Sequence, residues 1–340
     1  MPKTLKSLLK FICFLGIGLL LIWLVTKDLT TKEQEDIKNA FRHANYWLVI
    51  PAMALGVASH WLRAVRWRLL MKPLGHQPHT LNTFFAVMVG YLANLAIPRL
   101  GEVTRCGILA RYEKIPADKL VGTMIAERAV DLLCLMLLMV MTVLLQIDIV
   151  GTFFADRIWH PIQLKLAGAG TAQWILVIAI LLAGLLLLVL LLRRFARTKA
   201  AIAIRTLAKG VLEGILSIGK MKQKGWFLFH TAAIWLLYFS QIYIGFYCLQ
   251  ETAGLGIKAG MSVLAFGSIG MIVTQGGIGA YQILVQQTLV LYGIHATIGY
   301  AFGWIIWLAQ TLLVVLLGFI SLIALPLYNK STPTTSAAEH

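Results

Sequence analysis

The chain has 340 residues, 59% of them hydrophobic and 13% charged, with 30 Lys and Arg against 14 Asp and Glu for a formal charge of +16. A soluble domain averages roughly 45–50% apolar and about 25% charged residues; this composition, with a mean hydropathy of +0.81, excludes an ordinary soluble protein and predicts an all-α polytopic membrane protein. The positive surplus does not indicate nucleic acid, because the basic residues lie mostly in short loops, where the positive-inside bias places them, and no nucleic-acid recognition motif accompanies them.

Lys3, Lys6 and Lys10 precede an apolar run with no small-residue cleavage site, which predicts a retained first span at 8–26 and a cytoplasmic N-terminus. The loop 27–45 balances Lys27, Lys32, Lys38 and Arg42 against Asp28, Glu33, Glu35 and Asp36 and suits the outside. A second span, 46–62, runs into Arg63, Arg66, Arg68 and Lys72, read as a cytoplasmic anchor with interfacial Trp61 and Trp67. A span at 120–147 crosses outward, the loop 148–172 is again neutral, and a span at 174–192 returns. The segment 193–224 has nine basic residues against Glu213 alone, with helical apolar spacing, and reads as a cytoplasmic amphipathic surface helix. Spans at 226–249 and 297–325 follow, giving about six full spans in one membrane domain, 1–328, then a disordered tail, 329–340, in the cytoplasm.

Two apolar segments, 80–112 and 259–294, must each enter and leave on one side if the charge-derived topology holds. Both are interrupted in the middle: the first by Pro98 and Gly101, the second by Gly276, Gly277 and Gly279. Two re-entrant broken-helix hairpins from opposite faces fit, with ordinary spans carrying polar kinks as the competing arrangement. Broken helices at matching places in two halves are a pointer to a transporter site at an inverted-repeat interface.

At the first break Arg99, Glu102 and Arg105 recur every three residues, near one helix face, and a helix N-terminus beside Arg99 suits an anion. The bland alternative is an interfacial loop touching lipid phosphates. Glu127 and Asp131, four apart with Arg128 between them, lie inside a span, where charge is expensive and faces a bundle interior or wet cavity. They could pair with Arg99 or Arg105, either as scaffold or as part of a site. Asn94 and Tyr91 lie one turn before the first break, and Thr274, Gln275 and Gln282 flank the second. There the glycines could form an anion-binding nest or a packing motif. Cys13, Cys106, Cys134 and Cys248 show no CxxC or Cys/His spacing, so no metal and no cofactor is expected.

Asn94, Pro98, Arg99, Gly101, Glu102 and Arg105, followed two dozen residues on by Glu127, Arg128 and Asp131, resemble the motifs of the lysylphosphatidylglycerol synthase transmembrane region family, a flippase-like integral membrane domain. "TQGGIGAYQ" is similar to that family's second glycine element, with Gln275 in place of its Pro and Gln282 in place of its Glu. No Arg follows Arg205, so the second-half Glu–Arg pair the family often carries is missing. The resemblance implies movement of lipid between leaflets, with Asn94, Arg99, Glu102, Arg105, Glu127, Arg128, Asp131, Thr274, Gln275 and Gln282 as substrate-binding candidates and none catalytic. Residues 326–340 leave no room for the soluble domain that aminoacylates phosphatidylglycerol in the bifunctional enzyme, so lysyl transfer is not expected.

The expectation is therefore a lipid flippase in a bacterial cytoplasmic (inner) membrane, both termini cytoplasmic, with anionic phospholipid as partner and homo-oligomerisation open. The alternative is a membrane-embedded lipid-linked glycosyltransferase or other lipid-modifying enzyme.

Overall fold

The computed structural model describes residues 16, 19–27, 29–97, 100–146 and 221–331. Pro98, Arg99, the expected span at 174–192, most of the expected first span, the loop 148–172, all but the end of the basic segment 193–224, and residues 332–340 of the tail lie outside them. The described residues are helical, without strands: α1 (Thr31–His43), α2 (Val49–Met71), α3 (Thr80–Ala96), α4 (Leu100–Glu113), α5 (Ala117–Leu145), α6 (Lys224–Phe246), α7 (Ile257–Val273), α8 (Ala280–Val290) and α9 (Ala296–Ser331). The last helix runs three residues into the expected tail, and Asn329 within it pairs with Asn82 at 2.8 Å.

The polar helix α1 opens with a capping box. Thr30 Oγ1 accepts from the Glu33 N–H at 3.3 Å, and Glu33 Oε2 accepts from the Thr30 N–H at 2.8 Å. That backbone hydrogen bond, followed by the Thr30 hydroxyl, holds the Glu33 carboxyl below its ordinary value of 4.5. Four helical stretches are long and apolar enough to cross a membrane: Tyr46–Leu74, Ala117–Leu145, Lys224–Phe246 and Ala296–Lys330. The chain is a polytopic membrane protein. The 29-residue stretch Tyr46–Leu74, at about 1.5 Å per residue, measures about 43 Å and carries Arg63 and Arg66 well inside the bundle rather than at its edge.

Between the spans stand the two broken segments. α3, ending at Ala96, and α4, starting at Leu100, fold back on each other. α7 and α8 do the same around 274–279, where Gln275–Gly277 forms one 3-10 turn. Close approach of the arms depends on glycine. A Cβ on Gly101 would overlap the Gly90 carbonyl oxygen, and one on Gly270 would lie 2.6 Å from Tyr281 Cα. Gly276, Gly277 and Gly279 all have positive φ, which L side chains adopt at a cost.

Contacts at the two ends of the bundle fix the direction of each element. At one end Lys72 Nζ donates to Gln223 Oε1 (3.0 Å), Asn82 Nδ2 donates to Glu113 Oε1 (2.6 Å) and Asn82 pairs with Asn329. This end carries the open mouth of the first hairpin. At the other end the Asn45 N–H donates to the Cys248 carbonyl (2.8 Å), Gln146 bonds Ser262, and Ser262 bonds the Tyr292 hydroxyl (2.9 Å). That end carries the mouth of the second. The hairpins therefore enter from opposite ends.

The order span, hairpin, span occurs twice, as α2, α3–α4, α5 and as α6, α7–α8, α9, run in opposite directions. The packing matches: α3 against α9 has its counterpart in α7 against α5, α2 against α3 in α6 against α7, and α2 and α6 pack along each other. This is the arrangement of an inverted repeat.

Candidate functional site

Glu127, fully buried on α5, sits at the centre of a charge cluster. Its Oε1 accepts from Arg63 Nη1 at 2.9 Å and Arg66 Nη2 at 3.2 Å, and its Oε2 faces Arg105 Nη2 at 3.0 Å. One turn on, Asp131 takes Arg63 and Arg66 at 2.7 Å each. The i, i+4 spacing of the two acids on α5 thus meets the i, i+3 spacing of two arginines on α2, while α4 supplies the third. Arg66 is completely buried and Arg105 is 2% exposed.

Neighbouring groups complete the shell. Arg63 Nη2 donates to the Tyr238 hydroxyl (3.0 Å), Arg66 Nη1 to Thr231 Oγ1 (3.2 Å), and the Arg105 guanidinium lies 4.5 Å from the Trp67 ring centroid. Trp67 is fixed in turn by its Nε1–H to Thr123 Oγ1 at 3.0 Å. On the exposed side Arg128 faces Glu102 at 3.8 Å.

Three buried guanidinium groups face two carboxylates, which leaves one positive charge in excess. Its donors are not used up. Arg63 Nε, Arg66 Nε, and Arg105 Nε and Nη1 make no hydrogen bond, and the Arg105–Glu127 contact is an ion pair without hydrogen-bond alignment. His60, buried one turn before Arg63, has both ring nitrogens without a hydrogen-bond partner and packs on Tyr91 at 5.1 Å. Buried charge is tolerated when paired and hydrogen-bonded; this cluster is paired but under-bonded, and it can accept an anion.

One turn from Arg105 the two hairpin tips meet. Gln275 Nε2 donates across the gap to the Asn94 carbonyl oxygen at 2.5 Å. Asn94 Oδ1 accepts the Gly101 N–H at 2.7 Å, satisfying an orphan donor in the first turn of α4. From α9, Trp307 Nε1–H donates to the Gly276 carbonyl at 2.7 Å. Thr274 Oγ1–H bonds the Ile278 carbonyl at 2.8 Å and closes the second break on itself. Gln282 is fully buried, with neither amide atom hydrogen-bonded. It lies under Gly303, whose absent side chain lets α8 and α9 approach to near contact.

The structure thus brings Glu102, Arg105, Glu127, Arg128 and Asp131 to one region and Asn94, Thr274 and Gln275 to the adjoining tips, with Gln282 one helical turn beyond the second. Pro98 and Arg99 lie outside the described residues. Arg63 and Arg66 correct the sequence reading: they are buried ligands of Glu127 and Asp131, not a cytoplasmic anchor. Arg68 bonds Pro78 O and Thr80, and Lys72 bonds Gln223 at the end of the bundle. Their signal was legible, since two acids inside a span need cations, and Arg63 and Arg66 recur at the matching helical spacing.

Residues 11–318 match the family described as "Lysylphosphatidylglycerol synthase TM region". One similar relative is the UPF0104 membrane protein MJ1595 of Methanocaldococcus jannaschii, 30% identical over 86 residues, which are 24% of this chain and 26% of that protein. The matched stretch spans about a quarter of the relative's length. No solved structure matches. With nearly the whole membrane domain matched, the chain belongs to the lysylphosphatidylglycerol synthase transmembrane-region family.

Proposed function

We propose that this protein is a lipid transporter and not an enzyme: it moves an anionic phospholipid or lipid-linked substrate between leaflets, using the arginine-rich cluster beside the meeting hairpin tips to attract the head group. The observation that carries this reading is the unbalanced cluster itself, with three buried arginines, two carboxylates and unused guanidinium donors. A scaffold needs only a balanced network. The excess charge supports a site for an anionic group, and Arg105, on the second arm of a broken helix, is its central member. Non-helical backbone inside the bundle is tolerated where it lines a cavity or packs on protein, and two broken helices meeting tip to tip are suited to alternate exposure.

The end of the bundle with Lys72, Arg111, Lys114 and Lys330 supports a cytoplasmic placement of that end, in a bacterial cytoplasmic membrane. The test is reconstitution into vesicles with fluorescent phosphatidylglycerol or phosphatidylcholine, followed by dithionite bleaching of the outer leaflet. The expected result is bleaching of the inner pool faster than in protein-free vesicles, with phosphatidylglycerol favoured. No acceleration with folded, monodisperse protein would sink the transport reading, and a chemically altered lipid in the extract would turn it toward an enzyme.

A further inference from the structure

On the outer flank of the first hairpin, α4 packs on α3 and α5, and α9 packs on α3, but α4 and α9 do not close on each other. The space between them is a groove of about 410 Å³. Thr104, Ile108 and Arg111 project into it from α4 at positions i, i+4 and i+7, so one helix face supplies that wall; Leu322 and Leu325 supply the other. The groove runs from one turn past the break to the basic end of the bundle. Its chemistry changes along the way: apolar through Ile108, Leu322 and Leu325, then cationic and aromatic at Arg111 and Tyr112.

The polar end is available. Arg111 is exposed and makes no ion pair among the described residues, and its guanidinium rests 5.9 Å from the Tyr112 ring centroid. Across the groove Pro326 lies inside α9 and has no N–H to give to the Leu322 carbonyl, so that oxygen lacks its ordinary helical donor. A cation, an aromatic ring and a carbonyl without its ordinary helical donor thus sit at the mouth of an apolar trough in a membrane protein.

The geometry points to a second lipid site: the α4–α9 groove holds one anionic glycerophospholipid of the leaflet at the Lys72 end, its phosphate on Arg111, a head-group or backbone hydroxyl toward the Leu322 carbonyl, and one acyl chain along Ile108 and Leu325. Free phosphate or a soluble anion would leave the apolar length of the groove empty. The site rests on the lipid-transport reading for its purpose, as the waiting position from which a head group reaches the break, but its occupancy stands on the groove alone.

Gly107 gives a clean probe. It lies on the groove wall, and a Cβ there would meet nothing within 4 Å. Gly107→Leu therefore fills the groove without a clash and improves helix propensity. Gly122→Leu on α5, equally unobstructed, adds the same bulk elsewhere as the control. The experiment is native mass spectrometry of the full chain titrated with dioleoyl phosphatidylglycerol, diacylglycerol, or glycerol 3-phosphate. One phosphatidylglycerol is expected to be retained by wild type and by Gly122→Leu, with neither diacylglycerol nor glycerol 3-phosphate retained at the same concentration. Arg111→Gln should weaken retention about fivefold, the worth of one basic residue at an anionic surface, and Gly107→Leu should abolish it.

Retention unchanged in Gly107→Leu, or equal retention of diacylglycerol, overturns the site. Because binding is read without translocation, a wild-type chain that retains no phosphatidylglycerol while vesicle transport is intact removes this proposal alone. Lipid retained at the groove with no transport in vesicles removes the transport reading instead.

Discussion

The two halves of the bundle repeat one architecture with opposite chemistry. In the first, α2 is tied to α5 by Arg63 and Arg66 on Glu127 and Asp131. In the second, the equivalent contact between α6 and α9 is neutral: Gln310 Nε2 donates to Gln241 Oε1 at 2.5 Å. The arms differ likewise. α4 brings Glu102 and Arg105, whereas α8 brings Gln282 and Gln286, which carry no charge. One half holds charge and the other holds shape, through glycines that let α8 touch α7 and α9. On the proposed transport reading, this charge asymmetry across a pseudo-twofold assigns selection of an anionic head group to the first half.

That contrast can be broken from either side. Glu127→Gln should do the most damage, because it leaves three buried guanidinium groups with one carboxylate. A loss of ~3–5 kcal/mol is expected for breaking such a buried pair, visible as a large fall in the midpoint of thermal unfolding in detergent. The matching neutral change, Gln310→Leu, should cost only ~1 kcal/mol, the net worth of one uncharged hydrogen bond. Equal losses would erase the distinction between the halves.

Glycine substitutions sharpen it at the breaks. Gly101→Ala drives a methyl into the Gly90 carbonyl and should cost about 1–3 kcal/mol through overpacking. Gly276→Ala meets only Leu95 Cδ2 at 3.6 Å, so its cost, roughly 1–2 kcal/mol, comes from positive φ alone. Both are read from unfolding midpoints in the same detergent.

The smallest effect lies outside the membrane. Glu33 has a lowered pKa in the folded state, so its contribution to α1 is present above its ordinary value of 4.5 and is lost as pH falls through the lowered folded value. Amide exchange across α1 should quicken only in that acid range; Thr30→Val, which keeps the N–H and loses the hydroxyl, should lessen the pH dependence, and Glu33→Gln should remove it.

Much of this was legible beforehand. Among the described residues apolar length and loop charge located the spans, and Pro98, Gly101 and the three later glycines located both breaks, because broken helices need residues that release backbone. The acid pair Glu127 and Asp131 announced a buried charge cluster. The part that stayed hidden was tertiary. Arg63 and Arg66 followed a 17-residue apolar run and read as an anchor even though the two acids called for cations, because a sequence does not state that α2 continues for about two and a half more turns inside the bundle. Nor could it show that Asn94 would cap α4 through Gly101, or that Gln275 would reach the Asn94 carbonyl, since both depend on which hairpin tip meets which.

Arg105→Gln gives the most direct test of the central claim. Removing Arg105 leaves Arg63 and Arg66 balanced by Glu127 and Asp131, so the fold should hold and only the excess positive charge is lost. The rate of phosphatidylglycerol translocation in vesicles, measured beside the unfolding midpoint, reads both at once. The account expects a near-unchanged midpoint with translocation falling toward the protein-free rate. An Arg105→Gln protein as stable as wild type that moves phosphatidylglycerol at the wild-type rate would contradict it.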